Sequence, residues 1–581
     1  MAVLPIAEIG LRAAFGTGIP GAIPIVQHLT LWVGFLGAAM AAREGKLLAL
    51  ATASFLPKGR ARTIANVLAA SFGVFVSGLL ARAGWELVTL LRDNGTEVTR
   101  GIPAWIAVLV LPASFAAIAV RMAWHAAPSW IVRAGLFAVA ALGYIAGVRH
   151  EAFADTPFWP WALFAVVAAV VGAPIFAVLG GIAAILFMID GNVPALVPVE
   201  TYRLAVSPSL PAIPLFTLAG FLLAEGRSSE RLLAVFRALV GWLPGGTAVV
   251  TVAVCAFFTA FTGGSGVTIL ALGGLLFPAL LKERYREEFS LGLLTSSGSL
   301  GLLFPPALPL ILYGIVAQVR IEDLFLGGIL PGLLMVVMLA AWAVREGLRS
   351  GNPTTPFRLQ EARRAVWAAK FELLVPVIAL IALFSGYATL IEASAVTALY
   401  VLIAQVFVHR DVSIVRDLPR ALRECCVLLG GVLIILGVAM GLTNWLIDAQ
   451  VPMRLLEWVQ AKIDSPLLFL LALNVFLLVV GCLMDIFSAI VVVVPLIVPL
   501  GEAFGIHPVH LGIIFVANLE LGYLTPPVGL NLFLSSYRFE RPLLEVYRSV
   551  VPALIILGAG VLLITYLPPL TLTLVHLFGG G

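Results

Sequence analysis

Residues 481–488 read Gly-Cys-Leu-Met-Asp-Ile-Phe-Ser, and residues 518–531 read Asn-Leu-Glu-Leu-Gly-Tyr-Leu-Thr-Pro-Pro-Val-Gly-Leu-Asn. The first breaks a long apolar run; the second is a helical pattern interrupted at Pro526-Pro527. Both have a counterpart earlier in the chain. A gapless shift of 221 residues sets Gly220 on Gly441, Pro278 on Pro499, Leu300-Gly301 on Leu521-Gly522 and Pro305-Pro306 on Pro526-Pro527. Residues 212–310 and 433–531 are therefore one segment present twice. Gly/Pro-interrupted hydrophobic segments at matching places in two halves mark the binding region of a secondary transporter.

The composition agrees. Apolar residues make up 61% of the 581 and charged residues 11%, against roughly 25% charged in soluble domains. Runs long enough to cross a ~30 Å hydrocarbon core recur, and such runs must be helical because lipid leaves backbone polar groups no other partner. The expected fold is an all-α polytopic membrane protein. Its parts are a small N-terminal helical bundle (1–125), a connecting transmembrane helix (126–154) and a large domain (155–581) with repeat units at about 155–318 and 371–535. A net charge of +4 spread over short loops gives no reason to expect nucleic acid as a partner. Cys255, Cys425, Cys426 and Cys482 lie in apolar runs without CxxC spacing and read as core filling. The N-terminus lacks the pattern of a cleaved signal, so the first hydrophobic helix is expected to direct insertion.

Candidate spans fall near 22–42, 62–92, 102–122, 130–149, 159–173, 174–190, 211–225, 289–318, 324–345, 371–386, 390–408, 424–447, 511–535 and 549–567. Residues 46–57 are apolar but short, and the charged stretch 346–370 reads as an exposed linker between the repeats. Suppose that 245–281 and 466–500 dip into the membrane and return while every other span from 211 onward crosses. Loops 282–288, 346–370 and 409–423 and the segment 536–548, all rich in Arg and Lys, then share one side. Loop 501–510, with Glu502 and no Lys or Arg, faces the other. The positive-inside bias puts the basic side in the cytoplasm and the C-terminus outside. Five crossings then separate matching points, so the two copies are inverted. The tips of the two re-entrant hairpins are expected to meet near the midplane, where such carriers hold substrate and ions.

The first tip is Thr262-Gly263-Gly264-Ser265-Gly266-Val267-Thr268. Its broken backbone and hydroxyls offer the oxygen ligands that hard cations such as Na⁺ favour; the alternative is a small-residue face for close helix packing. In the second tip Asp485 takes the place of Gly264. A carboxylate in an apolar run costs at least ~2.5 kcal/mol on insertion scales and is a functional candidate by default; its alternative is a helix cap. At the breaks, Pro-Pro removes donors and frees carbonyls a turn earlier, while the following half-helix offers its positive end to an anion. The expected Na⁺ set is Thr262, Gly263, Gly264, Ser265, Ser297, Gly298, Asp485, Asn518, Gly522, Thr525 and Pro526. The expected substrate set is Thr268, Ser299, Gly481, Ser488, Glu520 and Asn531. Each polar group also has the alternative of a hydrogen bond between packed helices. His507 and His510, read as an external loop, and Glu392, read as a helix N-terminal charge, are not assigned to the site. Protease, hydrolase and ATPase motifs are missing, so an enzyme is not expected and transport must draw on a gradient.

The runs Gly481–Asp485, Gly505-Ile-His-Pro-Val-His510, Asn518–Phe533, Leu300-Gly-Leu-Leu-Phe-Pro-Pro306, Tyr313-Gly314 and Gly386-Tyr-Ala-Thr-Leu-Ile-Glu392 closely resemble the large membrane subunit of TRAP (tripartite ATP-independent periplasmic) transporters over about 155–570. Residues 20–125, with Trp32-Val-Gly-Phe-Leu-Gly37 and Arg43-Glu-Gly-Lys46, resemble the small membrane subunit. The chain thus looks like a fusion of both. It departs from the family pattern at Ile486, where Pro is common, and at Gly264-Ser265-Gly266, where Gly-Ser-Ser is frequent. The resemblance implies Na⁺-coupled import of a small organic acid across a bacterial inner membrane by an elevator motion. A periplasmic substrate-binding protein would deliver the cargo, and the membrane part would be a monomer or dimer. The competing reading is a stand-alone ion-coupled dicarboxylate carrier of the same architecture that needs no binding protein.

Overall fold

The computed structural model describes residues 1–49, 59–126, 129–351, 356–386 and 388–579. Most of the short apolar stretch 46–57 lies outside them; its described beginning runs beside residues 173–175, with the Ile175 N–H donating to the Leu48 carbonyl at 2.9 Å. Among the described residues eleven helices are long and apolar enough to cross a membrane, or up to thirteen if each bent pair is one span. The multi-pass helical expectation holds. Extended structure among them is confined to a small antiparallel pair, Glu97–Thr99 with Ile102–Pro103, and a bridge between Ala49 and Pro174.

The repeat is visible in the backbone. A 221-residue shift carries helix Ser265–Lys282 onto helix Ile486–Ala503 at both ends. Gly246–Thr262 falls within one residue of Pro466–Leu483. Pro305-Pro306 and Pro526-Pro527 are both cis. Arg284, just past the first helical pair, and Gly505, just past the second, both take left-handed φ values of 64° and 71°. Each copy is thus a helical hairpin followed by a broken helix: Glu287–Ser297 resumes as Leu308–Ala317, and Pro508–Gly522 resumes as Leu530–Phe539. The first break bends its helix by 45°.

The copies exchange partners. The second arm of the first hairpin, Ser265–Lys282, packs on Leu530–Phe539 of the second broken helix. Leu308–Ala317 of the first broken helix packs in turn on Ile486–Ala503 of the second hairpin. Phe277 and Phe539 fix the former contact, with ring centroids 4.7 Å apart. Such reciprocal packing is what a pseudo-twofold relation between two repeats produces.

Glycines set the other close approaches. Ala22–Glu44 lies on Asp417–Asp448, where a Cβ on Gly37 would fall 2.1 Å from the Cys426 carbonyl oxygen. Helix Trp130–Val148 packs on Arg60–Asp93, where a Cβ on Gly143 would fall 2.0 Å from the Phe75 oxygen. The stretch 346–370 is not a plain linker. Helix Ile321–Ser350 runs into it, and Leu359–Ala368 forms a helix bent 64° from Lys370–Phe384. Its charges suggested a loop, but Leu359, Ala362 and Val366 recur at i, i+3 and i+7, one helical face.

Candidate functional site

Gly263 ends the first hairpin arm in a left-handed turn, φ 66°, and a Cβ there would lie 2.6 Å from the Leu308 Cβ. Glycine lets the tip press against the first broken helix. One turn back, the Thr259 hydroxyl lies 2.7 Å from the Thr268 hydroxyl across the hairpin and 2.7 Å from the Gly298 carbonyl at the break. Thr262 Oγ1 stands 3.5 Å from Thr268 Oγ1. Gly301 seals the contact, since a Cβ on it would sit 2.3 Å from the Ala256 oxygen. The hydroxyls of Ser265 and Ser299 are buried beside this cluster's backbone and make no hydrogen bond among the described residues. Unsatisfied buried hydroxyls are costly.

The second tip is held differently. Asp485 is the N-cap of Ile486–Ala503: Oδ2 accepts from the N–H groups of Phe487 and Ser488 at 3.0 and 3.1 Å, and Oδ1 from the Ser488 hydroxyl at 2.5 Å. The cap alternative is therefore realised. A carboxylate has roughly four acceptor positions, so these three bonds leave it capacity for one more partner. The Tyr523 hydroxyl accepts from the Ile486 N–H at 2.7 Å and ties the tip to the second broken helix. Gly481 and Gly522 let the two backbones touch: a Cβ on Gly522 would lie 2.5 Å from the Gly481 Cα. Thr525, just before Pro526, bonds its own helix at the Leu521 carbonyl, 3.0 Å away.

The two broken helices also bond to each other. Asn531 Nδ2 donates to the Thr295 carbonyl at 3.3 Å, and the Thr295 and Ser535 hydroxyls are 2.9 Å apart. Glu520 is buried, its carboxylate facing the backbone N–H groups of Leu302 and Leu303 at the first break without closing a hydrogen bond of normal geometry.

The structure thus gathers Thr262, Gly263, Gly264, Ser265, Thr268, Gly298 and Ser299 at one junction, and Gly481, Asp485, Ser488 and Gly522 at another. Three side chains turn elsewhere, that of Thr525 to its own helix. The Ser297 hydroxyl bonds its own helix at Leu293. Asn518 donates to Asn474 Oδ1 at 2.6 Å, where Thr565 also bonds, a polar tie among three helices. Thr259, Tyr523, Asn474 and Ser535 escaped the sequence reading. So did Arg538, whose guanidinium covers Gly274 so closely that a Cβ there would lie 2.0 Å from Nη2. A lone Asn in the apolar run 466–483 was the one available signal among them. His510 is no loop residue: it is buried in Pro508–Gly522 and bonds Thr571 and the Thr565 carbonyl. Glu392 forms a capping box with Thr389 and pairs with Arg12 at 2.8 Å.

Paired hairpins and paired broken helices, swapped between two halves of a multi-pass bundle, are the build of a secondary transporter. Residues 162–570 match the family model of the tripartite ATP-independent periplasmic transporter, DctM component, and residues 1–131 match that of the DctQ component. The chain belongs to this transporter family and carries both membrane components in one polypeptide. The isethionate TRAP transporter permease protein DctMQ of Oleidesulfovibrio alaskensis is 33% identical over 508 residues, covering 84% of this chain and 79% of that one. The C4-dicarboxylate TRAP transporter large permease protein DctM of Pseudomonas aeruginosa is 35% identical over 376 residues, 64% of this chain and 87% of that one. The ectoine TRAP transporter large permease protein TeaC of Halomonas elongata is 33% identical over 372 residues, 63% and 86% respectively.

Proposed function

We propose that this chain imports a small organic anion across a bacterial inner membrane, driven by Na⁺ and supplied by a periplasmic substrate-binding protein. The observation that carries the reading is the doubled hairpin-and-break junction, one copy with orphaned buried hydroxyls and the other with a carboxylate that retains acceptor capacity. At the first junction Na⁺ would be held by Ser265, Ser299 and the backbone of Thr262, Gly263, Gly264, Ser297 and Gly298. At the second it would be held by Asp485 with the backbone of Asn518, Gly522, Thr525 and Pro526. Hard cations take such oxygen sets. The bound charge would offset that of the cargo, for which Thr268, Gly481, Ser488 and Asn531 supply polar groups. Glu520 would act behind them, bracing the first break.

Re-entrant hairpins, inverted in the membrane, would let these junctions move together as an elevator against the remaining helices, with the C-terminus in the periplasm. The anionic cargo named for the isethionate and dicarboxylate relatives supports the substrate class. Coupling requires that binding of both ligands together favours the mobile conformation. Uptake into proteoliposomes tests this. An inward Na⁺ gradient should drive accumulation only when a loaded binding protein is present outside; equal uptake without that protein would favour the stand-alone carrier, and uptake indifferent to Na⁺ would overturn the coupling.

A further inference from the structure

A cleft of about 340 Å³ opens between the first hairpin and the helices beside it. Phe236, Phe257, Phe304, Val336, Pro376 and Leu380 line it, and its other walls are also apolar. It reaches the first break at Pro305. A cavity of this size with no polar anchor suits a hydrocarbon chain better than a solute.

The nearby helix ends say which one. Leu359–Ala368 packs on Ser228–Val240, the helix that contributes Phe236. It presents exposed Arg363 and Arg364 together with exposed Trp367, the pattern of a helix lying at a membrane surface. Neither arginine has an acidic partner among the described residues, whereas Arg231 is committed to Glu372 and Asp411, and Arg237 to Glu283. Lys370 stands 3.8 Å from the centre of the Trp367 ring at the start of Lys370–Phe384, and Trp marks the interface level. From Lys370 to Pro376 and Leu380 the helix descends roughly 9 and 15 Å. One leaflet of hydrocarbon is roughly 15 Å deep. The cleft thus lies one acyl chain below a basic surface.

We propose that an anionic phospholipid is an integral ligand of this protein, its headgroup at Arg363, Arg364 and Lys370 and one acyl chain in the cleft against the first hairpin. Basic clusters beside an apolar groove recognise such lipids by charge and burial together. The test is native mass spectrometry of the full chain, extracted mildly and offered phosphatidylglycerol or phosphatidylcholine of identical acyl composition. Wild type should retain one phosphatidylglycerol per chain and several-fold less phosphatidylcholine. The combined Arg363→Gln, Arg364→Gln and Lys370→Gln variant should bring the two lipids level. Leu380→Trp, which fills the cleft, should lose both. Val377→Trp, exposed on the same helix outside the cleft, should retain lipid as wild type does and shows that a bulky residue on this helix is tolerated. Equal retention of the two lipids by wild type would overturn the proposal, as would retention unchanged by Leu380→Trp or lost in Val377→Trp.

Discussion

Asp485 has two jobs in this account, and a pair of substitutions separates them. As a cap it accepts two backbone N–H groups through Oδ2 and the Ser488 hydroxyl through Oδ1. Asp485→Asn keeps one oxygen for the N–H groups and places an NH₂ where it donates to the Ser488 hydroxyl, and Asn caps as well as Asp. Its melting temperature should stay close to that of wild type. Asp485→Ala removes the cap and should lose about 1 kcal/mol. The ion role depends on charge, which both variants remove. A hydrogen bond or ligand contact to a charged group is worth ~1.5–3 kcal/mol, so losing the charge should weaken Na⁺ by about 10- to 150-fold. The assay is the half-saturating Na⁺ concentration for uptake in proteoliposomes, beside a thermal melt of the same preparation. The account requires Asp485→Asn to melt like wild type and to fail in Na⁺ activation. Normal Na⁺ dependence in Asp485→Asn, with Asp485→Ala merely less stable, would leave only the cap and refute the ligand role.

Three further outcomes follow from the packing. Gly522→Ala places a methyl 2.5 Å from the Gly481 Cα and should cost about 1–3 kcal/mol as overpacking, read as a lower melting temperature with impaired uptake; wild-type behaviour would show that the second tip and break can part freely. Thr259→Val keeps the shape but strips the bonds to Thr268 and the Gly298 carbonyl; it should cost about 1–3 kcal/mol for the buried carbonyl left bare and raise the Na⁺ concentration needed for uptake. Arg231→Ala leaves the fully buried Glu372 without its 2.6 Å partner and should destabilise by about 3–5 kcal/mol; a melt within a degree of wild type would mean that the network around Glu372 compensates.

The repeat was legible because paired sequence features have a backbone meaning. Gly263 is where the chain must turn left-handed, and the two Pro-Pro pairs are where helices must stop. A shift in register carries those breaks from one copy to the other, so helix ends followed. Azimuth did not. Alignment set Asn518 at the depth of Ser297, but depth says nothing about which neighbour a side chain faces: Asn518 reaches Asn474 on another helix besides its own Ile514 carbonyl, whereas Ser297 turns back on its own helix alone. The partners of the tips, Thr259 and Tyr523, look like ordinary residues of apolar helices until the hairpins are folded. Leu359–Ala368 was hidden for a different reason: Glu361, Arg363 and Arg364 interrupt its apolar residues, and only spacing reveals that it is a helix.

Sidedness of the hairpin ends tests the central claim most directly. Trp242→Cys and Lys282→Cys flank the first hairpin at exposed positions, and Asp464→Cys and Glu502→Cys flank the second; the native thiols are buried or half-buried. With membrane-impermeant maleimide on oriented vesicles, positions 242 and 282 should both label from the cytoplasmic face and positions 464 and 502 both from the periplasmic face. Opposite-side labelling within either pair would mean that the hairpin traverses the membrane, and the inverted, re-entrant arrangement would be wrong.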